Sequence, residues 1–178
     1  MTQTEKNRQL GIAVYQKFLI ALTLCLTLGT SIAQAQTDNS KKINNLKTTK
    51  MTPKEVVEAY SIALSKGDIP TAFSYFSPNA KWHQPGNNKF SGTQTGLDAI
   101  GKMLGDMMGA TQGSLAIKPA GAMMVNGNLV SCPVRFSAKS GSKSVEMNGN
   151  DLYEVADGKI VQVWLFSEDQ SAEDEFWK

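Results

Sequence analysis

From Met51 onward, apolar positions recur first at helical spacing and then at strand spacing, and the change of period falls at Gly113. Thr52-Pro53-Lys54-Glu55 reads as a capping box with proline at the first helical position, the Thr52 hydroxyl taking an amide hydrogen while Glu55 reaches back. Val56, Tyr60, Ala63 and Leu64 then predict one apolar helix face, closed by Gly67. Asp68 and Pro70 open a second, short helix with Ala72, Phe73 and Phe76 on its inner side. Lys81 to Gln84 predicts a short strand stopped by Pro85-Gly86. Thr95 and Asp98 open a third helix that carries Leu97, Ile100, Leu104 and Met107 on one side.

Four long strands are predicted beyond Gly113. Ser114 to Val125 turns through Asn126-Gly127-Asn128 into Leu129 to Ala138, where Pro133 predicts a bulge or an edge position. After a turn at Lys139 to Ser142, Ser144 to Val155 is followed by the tight turn Asp157-Gly158 and by Lys159 to Phe166. Three helices ahead of a strand meander predict an α+β fold, a curved antiparallel sheet with the helices on one face. Ile160 to Phe166 is apolar at both parities except Gln162, so both faces of the last strand are expected to be covered. The tail Glu168 to Lys178 has five acids and ends Phe176-Trp177, which reads as a solvated end whose two aromatics dock on the domain.

The segment ahead of Met51 has a different texture. A polar, basic stretch up to Lys17 leads into the apolar run Phe18 to Gly29, and Ala33-Gln34-Ala35 supplies a small-x-small cleavage pattern. Twelve apolar residues fall short of the roughly 20 that a membrane-spanning helix needs. Residues 1–35 therefore read as an export signal, 36–50 as a flexible polar lead-in and 51–178 as one domain, which makes the expected location periplasmic or secreted. Removal of Cys25 with the signal leaves only Cys132, which excludes an internal disulfide, a paired-thiol redox site and a cysteine-based zinc site. The formal charge of +2 comes largely from the opening segment: from Met51 onward 11 basic residues face 14 acidic ones, a net −3. No basic field attracts nucleic acid, and that class of partner is set aside.

The helix VVEAYSIALSKGD, then FSPNAKWHQPG, then a helix after FSGTQTG, and finally DLYEVADGKIVQVW together resemble the SnoaL-like and ketosteroid isomerase-like branch of the nuclear transport factor two-like superfamily. The likeness covers about Met51 to Phe166 and rests on the order of elements more than on any single motif. It implies a cone-shaped fold, a bent antiparallel sheet wrapped around helices with a deep apolar pocket, and chemistry that needs no cofactor. It also implies pairing through the sheet, hence a homodimer. Because such folds host many activities, the site has to be argued residue by residue.

Tyr60 falls where the isomerases of this family carry an oxyanion tyrosine, and Asp151 where they carry an oxyanion acid. Strand alternation puts Asp151 on one face with Met147, Gly149, Tyr153 and Val155, an apolar setting in which a carboxyl needs a partner or a proton. The family's aspartate base is replaced by Gln84, and an amide accepts no proton at neutral pH. On that reading Gln84→Asp would restore a base. His83, the one histidine, is the other catalytic candidate, although strand parity points it away from Gln84. No histidine-rich metal site is possible, and the acids show no ligand spacing. Trp82, Gln84, Tyr153 and Trp164 are expected to line the pocket with Tyr60 and Asp151. Two readings follow. One is an isomerase, cyclase or lyase acting on a small apolar carbonyl compound; the other is a non-catalytic binding or scaffold module on the same cone.

Overall fold

The computed structural model describes residues 50–178; the segment expected to be an export signal and most of the expected lead-in lie outside the described residues. Helix α1 (Pro53–Ser65) starts at the expected capping box, with the Thr52 amide donating to Glu55 Oε2 at 2.7 Å and the Glu55 amide to Thr52 Oγ1 at 3.3 Å. Both partners serve orphan groups of the first turn, and the Glu55 carboxyl sits below its usual range because of them. Helix α2 (Ile69–Ser74) is capped by Asp68, which accepts from the Thr71 amide.

Strand β1 (Phe76–Gln84) is longer than predicted, because Pro78 reads as a breaker and hides its first half. Its ladder to the last strand is indeed irregular between Phe76 and Lys81, around that proline. A short strand β2 (Gly92–Thr95) pairs with β1 at the sheet edge; four polar residues without apolar alternation carry no strand signal. Helix α3 (Leu97–Ala110) begins at Gly96, whose φ of 87° takes the place of the side-chain cap expected from Thr95. It buries Ile100, Met103 and Met107, so those two methionines are core filling.

The first predicted long strand is in fact two, β3 (Ala116–Pro119) and β4 (Met124–Asn126), separated by Ala120 to Met123, which lie outside the ladder. Both pair with β5 (Leu129–Ser140). Pro133 lies inside β5 with its carbonyl accepting from Ala120 between β3 and β4, so its missing N–H points into that interruption and removes no bond to β6. Strands β6 (Lys143–Ala156) and β7 (Lys159–Ser167) form a hairpin turned by Asp157 and Gly158, both with positive φ as a type I′ turn requires.

The strand order is β2-β1-β7-β6-β5-β3, with β4 also on β5. One correction concerns strand direction. The sheet is mixed, because β1 runs parallel to β7, its neighbour in space and the far end of the domain in sequence. A second concerns the tail. Gln170–Trp177 forms helix α4, capped by Asp169 accepting from the Ala172 amide. Its two aromatics do dock, Phe176 edge-on to Trp177 and Trp177 edge-on to Phe90. No described helix is long and apolar enough to cross a membrane.

Candidate functional site

Strand alternation builds the site in two rows across the inner face of the sheet. One row runs Val130, Tyr153 and Val163 to Trp82, all paired neighbour to neighbour. The next runs Cys132, Asp151 and Leu165, and Gln84 follows one step beyond the His83–Trp164 pair. Tyr60 comes down from α1 onto the first row, its ring 5.8 Å from Tyr153 and 5.2 Å edge-on from Phe76. All of these side chains except partly buried Leu165 are buried, Tyr60 and Tyr153 at 5% exposure and Asp151 at 8%.

The polar atoms within this apolar shell converge. The Tyr153 hydroxyl donates to Asp151 Oδ2 at 3.3 Å. Burial disfavours the Asp151 carboxylate and raises its pKa to about 7, with the Tyr153 hydrogen bond pulling down and the negative charge of Glu173 pushing further up. Burial, and after it the charge of Asp151, lifts Tyr60 and Tyr153 well above an ordinary phenol. Cys132, opposite Asp151 in the ladder, is pushed up to about 12 by the same two causes. The cluster therefore offers two phenolic O–H groups, a thiol, and a carboxyl that burial inclines to keep its proton.

Gln84 sits at the other end of the row in a different role from the one its position suggested. Trp82 Nε1 donates to Gln84 Oε1 at 3.2 Å, and Gln84 Nε2 donates to Glu173 Oε1 at 3.2 Å. An indole can only donate, so the orientation of the amide follows from its neighbours. Glu173, 4% exposed on α4, also accepts from Trp177 Nε1 at 3.2 Å, from Gln170 Nε2 at 3.3 Å and from the Ser167 hydroxyl. Glu173 is the site residue that sequence reasoning missed. Its signal was the helical spacing of Glu173, Phe176 and Trp177 after an Asp169 cap.

The structure thus brings Tyr60, Tyr153, Asp151, Trp82 and Gln84 to one side of the sheet and leaves two candidates out. His83 and Trp164 point to the opposite face, stacked on each other with centroids 5.1 Å apart and planes within 10°. This is a correction with a simple cause: β1 keeps its alternation up to Gln84, and Pro85-Gly86 does not turn the histidine inward. His83 Nδ1 meets Thr93 Oγ1 at 2.9 Å and Nε2 meets Gln162 Oε1 at 3.1 Å. Since Gln162 Nε2 is committed to Glu154, its oxygen faces the ring, and His83 Nε2 carries a hydrogen. Among the described residues no group of three or more histidine, cysteine or acidic side chains is placed to hold a metal ion.

The fold has counterparts among known proteins. A protein of unknown function with a cystatin-like fold from Xanthomonas campestris is 42% identical, with a TM-score of 0.68 over 71% of this chain and 98% of that one. Bal32a, from a soil-derived mobile gene cassette, is 27% identical, with a TM-score of 0.67 over 71% of this chain and 96% of its own. An uncharacterized protein of Mycobacterium tuberculosis (strain ATCC 25618 / H37Rv) is 24% identical over 69% of this chain and 94% of its own length. Residues 56–163, from the first turn of α1 into β7, match the SnoaL-like domain, and with the nuclear transport factor two-like, cystatin-like architecture around them the chain belongs to the SnoaL-like family.

Proposed function

We propose that the chain binds a small apolar compound with a carbonyl or enolate oxygen, and that it acts on that compound as a cofactor-independent isomerase, cyclase or lyase. The observation that carries this reading is the buried cluster of Tyr60, Tyr153 and Asp151. A carboxyl raised to about 7 can stay neutral and donate, and phenols held well above their usual pKa keep their hydrogens. Such donors, fixed in an apolar shell, stabilise charge that develops on an oxygen far better than water does. The partner is a small molecule with one polar end, because the remainder of the shell is apolar.

A second reading, binding without turnover, has its own support. The family resemblance sets Gln84 where the isomerases carry their base, and its amide is engaged on both sides. The first experiment therefore measures binding. A naphthol, which mimics an enolate, is titrated against the wild type and followed by its fluorescence. Tyr60→Phe is expected to weaken binding roughly 10–100-fold, as for loss of one hydrogen bond to a charged group. Equal affinity in the wild type and in both Tyr60→Phe and Asp151→Asn would remove the cluster from any role in ligand recognition.

A further inference from the structure

Two carboxyl groups share the inner face of the sheet, and their surroundings treat them oppositely. Asp151 sits among apolar groups, with the Tyr153 hydroxyl as its one hydrogen-bond donor. Glu173 is met by four donors, Gln84 and Trp177 on Oε1 and Ser167 and Gln170 on Oε2. The three nitrogen donors stand at 3.2–3.3 Å, longer than the 2.7–2.9 Å or so of tight charge-assisted bonds. The closest contact is that of the Ser167 hydroxyl.

Sheet register brings the two together. Asp151 faces Leu165, and Ser167, which holds Glu173, lies two residues further along β7 opposite Gly149. Diagonal neighbours such as Asp151 and Ser167 are about 7–8 Å apart, and the Glu173 charge lies near enough to push the Asp151 carboxyl up. Gly149 has no side chain to stand between them, and a Cβ there would come within 2.8 Å of the Phe166 carbonyl. Two carboxyl groups held at one site can divide the labour of general acid and general base.

We propose that Glu173, carried into the site by the C-terminal helix, is the catalytic base, and that Gln84 is a positioning residue that orients it. The inference rests on the reading of Tyr60 and Asp151 as oxyanion donors, with the Tyr153 hydroxyl hydrogen-bonded to Asp151. In an isomerisation, Glu173 takes the α-hydrogen of a β,γ-unsaturated ketone as a proton. The C–H electron pair becomes the new double bond of a dienolate, and the charge rests on the oxygen held by Asp151 and Tyr60. Glu173 then returns the same proton to the γ-carbon, and the conjugated ketone leaves with atoms and charge balanced. The base that position 84 lacks is thus supplied by α4, beyond residue 163 where the match to the SnoaL-like domain model ends.

The test uses the full chain and a β,γ-unsaturated cyclohexenone, with conjugation followed by ultraviolet absorbance and naphthol binding measured in parallel. Glu173→Gln should lower turnover about 10²–10⁴-fold while naphthol affinity stays within a few-fold of wild type. Glu173→Ala, which opens space at the carboxylate, should regain turnover when formate is added, a response that a purely structural residue does not give. Wild-type turnover in Glu173→Gln overturns the proposal. So does an active wild type in which Glu173→Gln loses turnover and naphthol binding together and formate restores neither, because Glu173 then only holds the helix. A wild type that binds naphthol through Tyr60 and Asp151 but never conjugates the ketone overturns the base assignment alone. Failure of the oxyanion reading shows elsewhere, in Tyr60→Phe and Asp151→Asn variants that bind naphthol as wild type does.

Discussion

Asp151 is the residue at which stability and function pull in different directions. Its pKa rises from 3.8 in the unfolded chain to about 7 in the fold, so the folded state holds the proton more tightly. Between those values the native chain binds more protons than the unfolded one, and stability falls as pH rises through that window. The loss accumulates at about 1.4 kcal/mol for each tenfold gain in proton affinity, and it levels off above about pH 7, once the carboxyl is ionised in both states. Asp151→Asn should therefore melt higher than wild type at pH 8 and show little of the decline between pH 4 and 7, while its naphthol binding is weakened. Thermal melts across that range check the sign. Gln84 makes an opposite case. Its amide bridges Trp82 and Glu173, so Gln84→Asp sets a carboxylate against a carboxylate instead of restoring a base. We expect a loss of roughly 1–3 kcal/mol from the broken bridge, read by denaturant melts, and no gain in turnover.

At the scale of elements, α4 decides most. It contributes buried Glu173, Phe176 and Trp177, and Asp174 fastens it to the β1–β2 loop through the Asn87 amide at 2.9 Å and Asn88 Nδ2 at 2.7 Å. Trp177→Ala should cost roughly 3–5 kcal/mol, as large-to-small changes of buried aromatics do, and should loosen the helix that holds Glu173. A melting shift of under a degree would mean that α4 is not docked as described. A solvated tail and a docked amphipathic helix share the same acidic composition, and the cap at Asp169 with the Glu173–Phe176–Trp177 spacing distinguishes them. Strand β2, by contrast, gave no local signal, since only its pairing with β1 makes its four polar residues a strand.

On the scale of the whole molecule, the sheet has a second face. Leu152, Trp164 and His83 lie there half-buried, with Phe166 at 55% exposure and Met124 at 58%. The homodimer implied by the family resemblance is proposed to form through this face, with His83 and Trp164 in the contact instead of in the site. Light scattering at micromolar concentration should return twice the chain mass, and Phe166→Glu should return the single mass; a wild-type monomer would reject the assignment. Export is likewise proposed from Ala33-Gln34-Ala35, with an N-terminus at Gln36 in secreted material. Intact mass spectrometry gives the answer, and retention of Met1 would point to an uncleaved segment.

Local chemistry carried much of this. The capping box at Thr52, the Asp157-Gly158 turn, the alternation that sets Asp151 beside Tyr153, and the period change at Gly113 act within a few residues, so the sequence alone determined α1, the β6–β7 hairpin and the α+β class. Tertiary structure alone decided whatever depends on partners far along the chain. The parallel pairing of β1 with β7 joins Trp82 to Val163, the Gln84 amide takes its direction from Glu173, and α4 finds its place against Phe90. A buried hydrogen bond or aromatic contact between residues 80 or 90 positions apart leaves no periodicity to read. Its energy comes from removing both groups from water together, and that happens only once the sheet has closed.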